Sequence, residues 1–301
     1  MSPLIVGGRT IFGALSSQPI GITTSVGSEY YDTSSDQKKV YKSTGWVSVQ
    51  GASAAGANIG AATGTLMYFD FGNYSGSSWQ GNTGATTLTN IQSSGASGGV
   101  DLPKGSSAAY NSANGGILRG SGTQDVRTTI SGSNPLGQNI SMGVVIRFDS
   151  GSDNQSTSRG LLYYGNTGSD QHFYVRKNFG VNNNVSVGQD TNGSDVWTEV
   201  ATGYTSSNGF TVFIFNLASD GTLSTSINGA AFTTNRTGGG AISVSGPNIG
   251  FFGDPYNDNS SSFDIGAGFW RTQQTTDTES ADWYTYLKSD YGAGSNRFSL
   301  S

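Results

Sequence analysis

Between residues 65 and 270 the chain is a series of short runs rich in β-branched and aromatic residues, each closed by glycine, asparagine or serine. The runs are 66–71, 141–148, 160–164, 172–175, 184–187, 210–215, 224–227, 241–244, 249–252 and 263–270. Strands of about 4–8 residues are ordinary, whereas helices usually need roughly 10 or more, so this spacing predicts an all-β domain. Many short strands separated by turn chemistry predict an antiparallel two-layer β-sandwich or jelly roll. Ala218-Ser219-Asp220-Gly221 and Asn228-Gly229 predict hairpins, the second through a type I′ turn whose two central residues take positive φ. No longer repeat is present, which excludes a solenoid. One helix is predicted at 279–291. Thr276 and Glu279 form a capping box, Trp283, Leu287 and Tyr291 make a stripe to pack on the sandwich, and Gly292 is the stop.

Residues 1–50 have a different texture. The runs around Tyr30-Tyr31 and Val40-Tyr41 predict two strands joined across Thr33-Ser34-Ser35-Asp36, with a third starting at Trp46-Val47. A β-meander of that size buries too little surface to be stable alone. Its aromatics, Tyr30, Tyr31, Tyr41 and Trp46, combine apolar area with a polar tip, which suits attachment to a partner. The small, uncharged residues that follow read as a linker. The expected organisation is an attachment meander at 1–50, a Gly/Ala linker at 51–62, the sandwich at 63–292 and a tail at 293–301.

Only 12% of residues are charged and the net charge is -5, with no basic block, which excludes a nucleic-acid phosphate backbone as the main partner. No apolar run reaches membrane-spanning length and the N-terminus lacks a secretory-signal pattern, so no membrane insertion is expected. The absence of cysteine excludes disulfides, thiolate metal sites and cysteine nucleophiles, leaving β packing or oligomerisation as the source of durability.

Leu66-Met-Tyr-Phe-Asp70-Phe-Gly-Asn73, Trp79, Tyr110-Asn-Ser-Ala-Asn-Gly-Gly-Ile-Leu118 and Gly122-Thr-Gln-Asp-Val126 resemble the opening of concanavalin A-like domains in phage structural proteins. Asp220-Gly-Thr-Leu-Ser224, Ile227-Asn-Gly229, Asn248-Ile-Gly-Phe-Phe252, Phe263-Asp-Ile-Gly-Ala-Gly-Phe269 and the closing helix follow the order of laminin-G-like domains. Together these cover roughly 230 residues. The segment from Gly27 to Trp46 is similar to short β-meanders of phage tail and fibre proteins, where it is a structural connector. The resemblance implies a non-enzymatic virion surface protein, a head decoration or tail/fibre-associated subunit assembled in the host cytoplasm. Its implied partners are capsid or tail proteins, further copies of itself and host-surface glycans. Relatives of this fold also include soluble carbohydrate-binding lectins and polysaccharide-degrading glycoside hydrolases, and both alternatives stay open.

Glycosidases similar to the glucanases of this fold carry two carboxylates in an E-x-D-x-x-E strand, because hydrolysis needs an acid and a nucleophile flanking the glycosidic oxygen. Here the only glutamates are Glu29, Glu199 and Glu279, none in such a motif, and Asp254 and Asp258 lie in a turn-forming loop. The single histidine, His172, precedes Phe173 and Tyr174 in a strand and reads as structural. The expectation is therefore a protein without catalysis. Sugars stack on exposed aromatics while Asn and Asp take their hydroxyls, which selects Trp79, Tyr204, Tyr256 and Asn257 as glycan-binding candidates. The same loop aromatics also suit contact with neighbouring virion subunits. Trp197, Trp270 and Trp283 read as core. Oxygen ligands crowd on two loops, as hard Ca²⁺ requires: Asp254, Asn257, Asp258 and Asn259 on one, Asp190 to Asp195 on the other. Ca²⁺ is the one cofactor these loops point to.

Overall fold

The computed structural model describes residues 4–6, 9–15, 29–32, 37–42, 45–48, 58–71, 87–88, 91, 99–103, 108–111, 116–120, 126–131, 135–155, 157–166, 171–191, 193, 195–253, 263–288 and 298–300. The chain divides into two compact units, Met1–Ala57 and Asn58–Ser301.

The first unit is a five-stranded sheet in chain order: β1 (Leu4–Val6), β2 (Arg9–Leu15), β3 (Glu29–Asp32), β4 (Gln37–Lys42) and β5 (Gly45–Ser48). The sequence reading began the sheet at β3; the β-rich stretches Leu4-Ile-Val and Ile11-Phe-Gly-Ala-Leu add two strands ahead of it. β3, β4 and β5 form the expected antiparallel three-stranded meander, and β2 joins β3 in parallel. Tyr41 stands opposite Trp46, Tyr30 opposite Lys39 and Tyr31 opposite Lys38.

The second unit is an all-β sandwich. Its strands are β6 (Thr65–Asp70), β7 (Thr87–Leu88), β8 (Leu102–Pro103), β9 (Ala108–Asn111), β10 (Ile117–Gly120), β11 (Val126–Thr129), β12 (Ile140–Phe148), β13 (Arg159–Asn166), β14 (Gln171–Lys177), β15 (Val185–Asp190), β16 (Asp195–Ala201), β17 (Thr211–Leu217), β18 (Leu223–Ile227), β19 (Thr233–Arg236), β20 (Asn248–Phe251) and β21 (Phe263–Arg271), followed by α1 (Asp277–Lys288). One sheet of eight runs β19-β18-β17-β12-β21-β10-β9, with β6 also on β21. The facing sheet of six runs β11-β20-β13-β14-β15-β16, and β7 and β8 form a separate ribbon. The main core lies between the two large sheets. Phe69, Val144, Phe213 and Trp270 of the first meet Tyr164, Phe173, Val187 and Phe251 of the second. Phe251 packs edge-on against Phe69 at 6.0 Å and Trp270 at 4.9 Å. The buried Trp270 indole N–H donates to the Tyr163 carbonyl at 3.2 Å, tying the layers together.

The eight-stranded sheet is buried on its other face too. Tyr68, Val145, Val212, Ile214 and Phe269 pack there with Trp283 and Leu287 of α1 and with Phe298 and Leu300. This two-sided burial is why β12 and β21 read as nearly unbroken apolar runs rather than alternating ones. The helix starts two residues before the expected position, and its cap is the expected one. Glu279 N–H donates to Thr276 Oγ1 at 3.2 Å and Thr276 N–H to Glu279 Oε2 at 2.9 Å. Tyr291, assigned to its stripe, lies outside the described residues. The turn at Asn228 (φ 52°) and Gly229 (φ 73°) has the expected positive dihedrals. The run 241–244 is not a strand. Ile242 and Val244 are buried, but Gly238, Gly239 and Gly240 ahead of them all take positive φ, so an apolar pattern here reports burial without a ladder. Among the described residues no helix is long and apolar enough to cross a membrane.

Candidate functional site

Strands β14, β15 and β16 make one side of the six-stranded sheet, with β16 at its edge. Phe173 and Val175 point into the main core. Their alternates, His172, Tyr174 and Arg176, therefore take the face turned away from it. Cross-strand register extends each into a row: His172 with Asp190 and Asp195, Tyr174 with Gly188 and Trp197, Arg176 with Ser186 and Glu199. Residues directly opposite one another share a face, so three rows of side chains stand side by side.

The middle row is aromatic. A Cβ on Gly188 would lie 2.7 Å from Tyr174 Cε1, so the bare glycine is what lets the Tyr174 ring cross β15. Tyr174 then meets Trp197 edge-on at 4.8 Å, and Trp197 stacks on Phe179 at 3.6 Å with 17° between the planes. The Arg176 guanidinium sits over all three rings, 5.0 Å from Tyr174, 5.2 Å from Trp197 and 5.8 Å from Phe179. Contacts of this kind contribute about 0.5–2 kcal/mol each and hold the platform rigid. Trp197 is only half-buried, which corrects its assignment to the core: it lies on an edge strand, in phase with Asp195 and Glu199.

The first row is polar. His172 is fully buried, and its Nε2 stands 2.9 Å from Asp195 Oδ1. Asp195 Oδ2 accepts from the Tyr174 hydroxyl at 2.9 Å, and the buried Asp190 accepts from the Gly193 N–H at 2.7 Å. In the third row Glu199 accepts from Asn184 Nδ2 at 2.9 Å. The edge itself is sealed to the facing sheet by Arg236 of β19, which reaches the Val196 carbonyl at 3.3 Å and the Gln189 side chain. On this face the half-buried Trp197 and Phe179 rings and the partly exposed Asp195 carboxylate reach solvent, while Tyr174 and Arg176 are buried and hold them in place. Such a set stacks on the apolar face of a sugar ring and takes its hydroxyls.

No protein-family model and no curated protein matches the sequence. Solved structures do match the fold. The receptor-binding domain of botulinum neurotoxin type G superposes with a TM-score of 0.52 at 11% identity, covering 75% of this chain and 52% of that one. The ligand-binding domain of botulinum neurotoxin serotype D, in complex with N-acetylneuraminic acid, gives 0.55 at 11% identity over 80% of this chain and 56% of that one. The binding domain of Paraclostridial mosquitocidal protein 1 gives 0.52 at 11% identity, over 75% and 53%. The likeness shows the fold. The chain spans about half the length of the structures it matches.

Within this sandwich Tyr204 is half-buried with its ring against Phe213 at 5.0 Å, and burial pushes its hydroxyl pKa up. Much of the ring expected to meet glycan is therefore turned onto the core. Trp79, Tyr256, Asn257 and the loop carrying Asp254, Asp258 and Asn259 lie outside the described residues. Trp270 and Trp283 are core, as expected. Glu279 is bound by the buried Arg271 at 2.7 Å and by Thr276, and Glu199 by Asn184. His172 is held within a strand, but it also joins the polar row. The platform that sequence reasoning missed had a signal: Asp195, Trp197 and Glu199 alternate with Val196, Thr198 and Val200, the pattern of a strand with one polar-aromatic face.

Proposed function

We propose that the chain is a non-enzymatic virion surface protein whose sandwich binds glycans. The observation carrying this reading is the Trp197–Phe179 stack under the Arg176 guanidinium, beside the Asp195 carboxylate on the sheet face. Stacking supplies affinity for a pyranose face, and the partly exposed Asp195 carboxylate supplies orientation through hydroxyl hydrogen bonds. The fold likeness supports it, since one of the matching structures holds N-acetylneuraminic acid. The virion part rests on the resemblance to phage concanavalin A-like proteins and on the small separate N-terminal sheet, which we assign to attachment and to assembly with further copies.

Glycan-array binding with the full-length protein tests the reading. Binding to a defined set of saccharides is expected, and Trp197→Ala should weaken it tenfold or more, the equivalent of about 1.4 kcal/mol. Absence of binding, or binding indifferent to Trp197→Ala, would remove the site. Release of reducing sugar from a bound polysaccharide would instead identify a hydrolase.

A further inference from the structure

We propose that His172, Asp190 and Asp195 bind one divalent transition-metal ion of the zinc or manganese type. These residues stand in one register row across three consecutive strands, so the sheet itself, rather than a loop, sets their spacing. One ligand atom from each lies within 4.8 Å of the others. Two donors about 2.1 Å from one ion, at angles near those of an octahedron or tetrahedron, stand about 3.0–3.4 Å apart. His172 Nε2 and Asp195 Oδ1, at 2.9 Å, are already close to that separation.

The surroundings have the features that ligands of a metal require. The Tyr174 hydroxyl fixes the second oxygen of Asp195, and the Gly193 N–H fixes an oxygen of Asp190, the kind of outer hydrogen bonds that orient ligating carboxylates. The His172 ring is set by its edge contact with Tyr174 at 4.8 Å and by the close backbone at Gly165, where a Cβ would lie 2.3 Å from His172 Cβ. Asp190 and Asp195 are directly opposed across β15 and β16, a like-charge pair that a dication relieves. An imidazole nitrogen with two carboxylates suits first-row transition metals, whereas Ca²⁺ and Mg²⁺ take oxygen ligands throughout. The oxygen-rich run from Asp190 to Asp195 suggests calcium by itself; His172, brought in from β14, changes the chemistry. The site stands whether or not the saccharide reading holds.

His172 is the only histidine and cysteine is absent, so tight zinc binding has one imidazole to use and no thiolate. Tag-free, chelator-treated full-length protein should be titrated separately with ZnCl2, MnCl2 and CaCl2 by calorimetry and thermal melting. One zinc or manganese ion per chain and a melting temperature that rises with its concentration are expected. His172→Gln and Asp195→Asn should each abolish the shift. Because Asp195 is partly exposed, its variant keeps the test open if the buried His172 variant fails to fold. Asp195 is common to both readings, whereas Trp197 is no ligand, so Trp197→Ala should retain metal binding while weakening saccharide binding. No saturable binding, equal binding by Asp195→Asn, or a shift given by CaCl2 alone would each overturn the proposal.

Discussion

Gly188 shows how much one missing side chain decides at the residue scale. Gly188→Ala puts a methyl into the Tyr174 ring, so the variant should lose about 1–3 kcal/mol in urea denaturation and weaken saccharide binding with it. Asp264 is almost fully buried between Arg119, at 2.6 Å, and Arg147, at 2.6 Å. Burial would push its carboxyl pKa up, but the hydrogen bonds and charges of the two arginines outweigh burial and hold it below the ordinary aspartate range. The same balance operates at Glu279, where Arg271 and Thr276 overcome burial. For a depressed carboxyl the native state binds fewer protons than the unfolded chain. The stability these groups contribute is therefore complete above their unfolded values, about 4, and is lost as pH falls through the lower folded values. Thermal melts should fall steeply on acidification below that range, and Asp264→Asn should melt lower at neutral pH yet converge with the parent in acid. Convergence failing to appear would remove Asp264 from the account. A third pair is Lys177, whose buried ammonium is 3.1 Å from Asp153 and 2.9 Å from Ser152 Oγ. Burial pushes its pKa down while Asp153 holds it up. Asp153→Asn leaves that charge uncompensated and should cost about 3–5 kcal/mol, seen as a lower urea midpoint.

At the scale of elements, strands were readable where burial and pairing coincide. The run 141–148 is apolar but for Ser141 and Arg147 because β12 sits in mid-sheet with packing on both faces. The run 241–244 carries the same apolar signal, but the three glycines before it turn the backbone out of the ladder. Strand β16 is hard to read for the opposite reason: its phase is set by Asp195, Trp197 and Glu199, and a tryptophan on an edge strand mimics a core position. The candidate site was readable only in fragments, since His172, the Asp190 to Asp195 run and Trp197 sit on three strands whose register no local pattern reveals. Helix α1 was readable from its cap and stripe, and its attachment to the sandwich rests on Trp283 against Phe269 at 5.0 Å. Trp283→Ala should cost about 3–5 kcal/mol and lower the melting temperature of the sandwich, not just its helical signal. Loss of helical circular dichroism with the β transition unchanged would show that α1 is an appendage.

At the scale of the molecule, the division between Ala57 and Asn58 separates a small sheet from a sandwich with its own core. Deleting residues 1–50 should leave a soluble protein with nearly unchanged melting that no longer co-purifies with particles. Retention of the deleted form on particles would move attachment to the sandwich. The central claim is that the face of β14–β16 meets the saccharide, and oxidative footprinting of tryptophan tests it most directly. With saturating glycan from the array, Trp197 should be protected, while the buried Trp270 and Trp283 stay unreactive with or without ligand. Protection of Trp79 with Trp197 still oxidised would contradict the account and return the binding site to the loops.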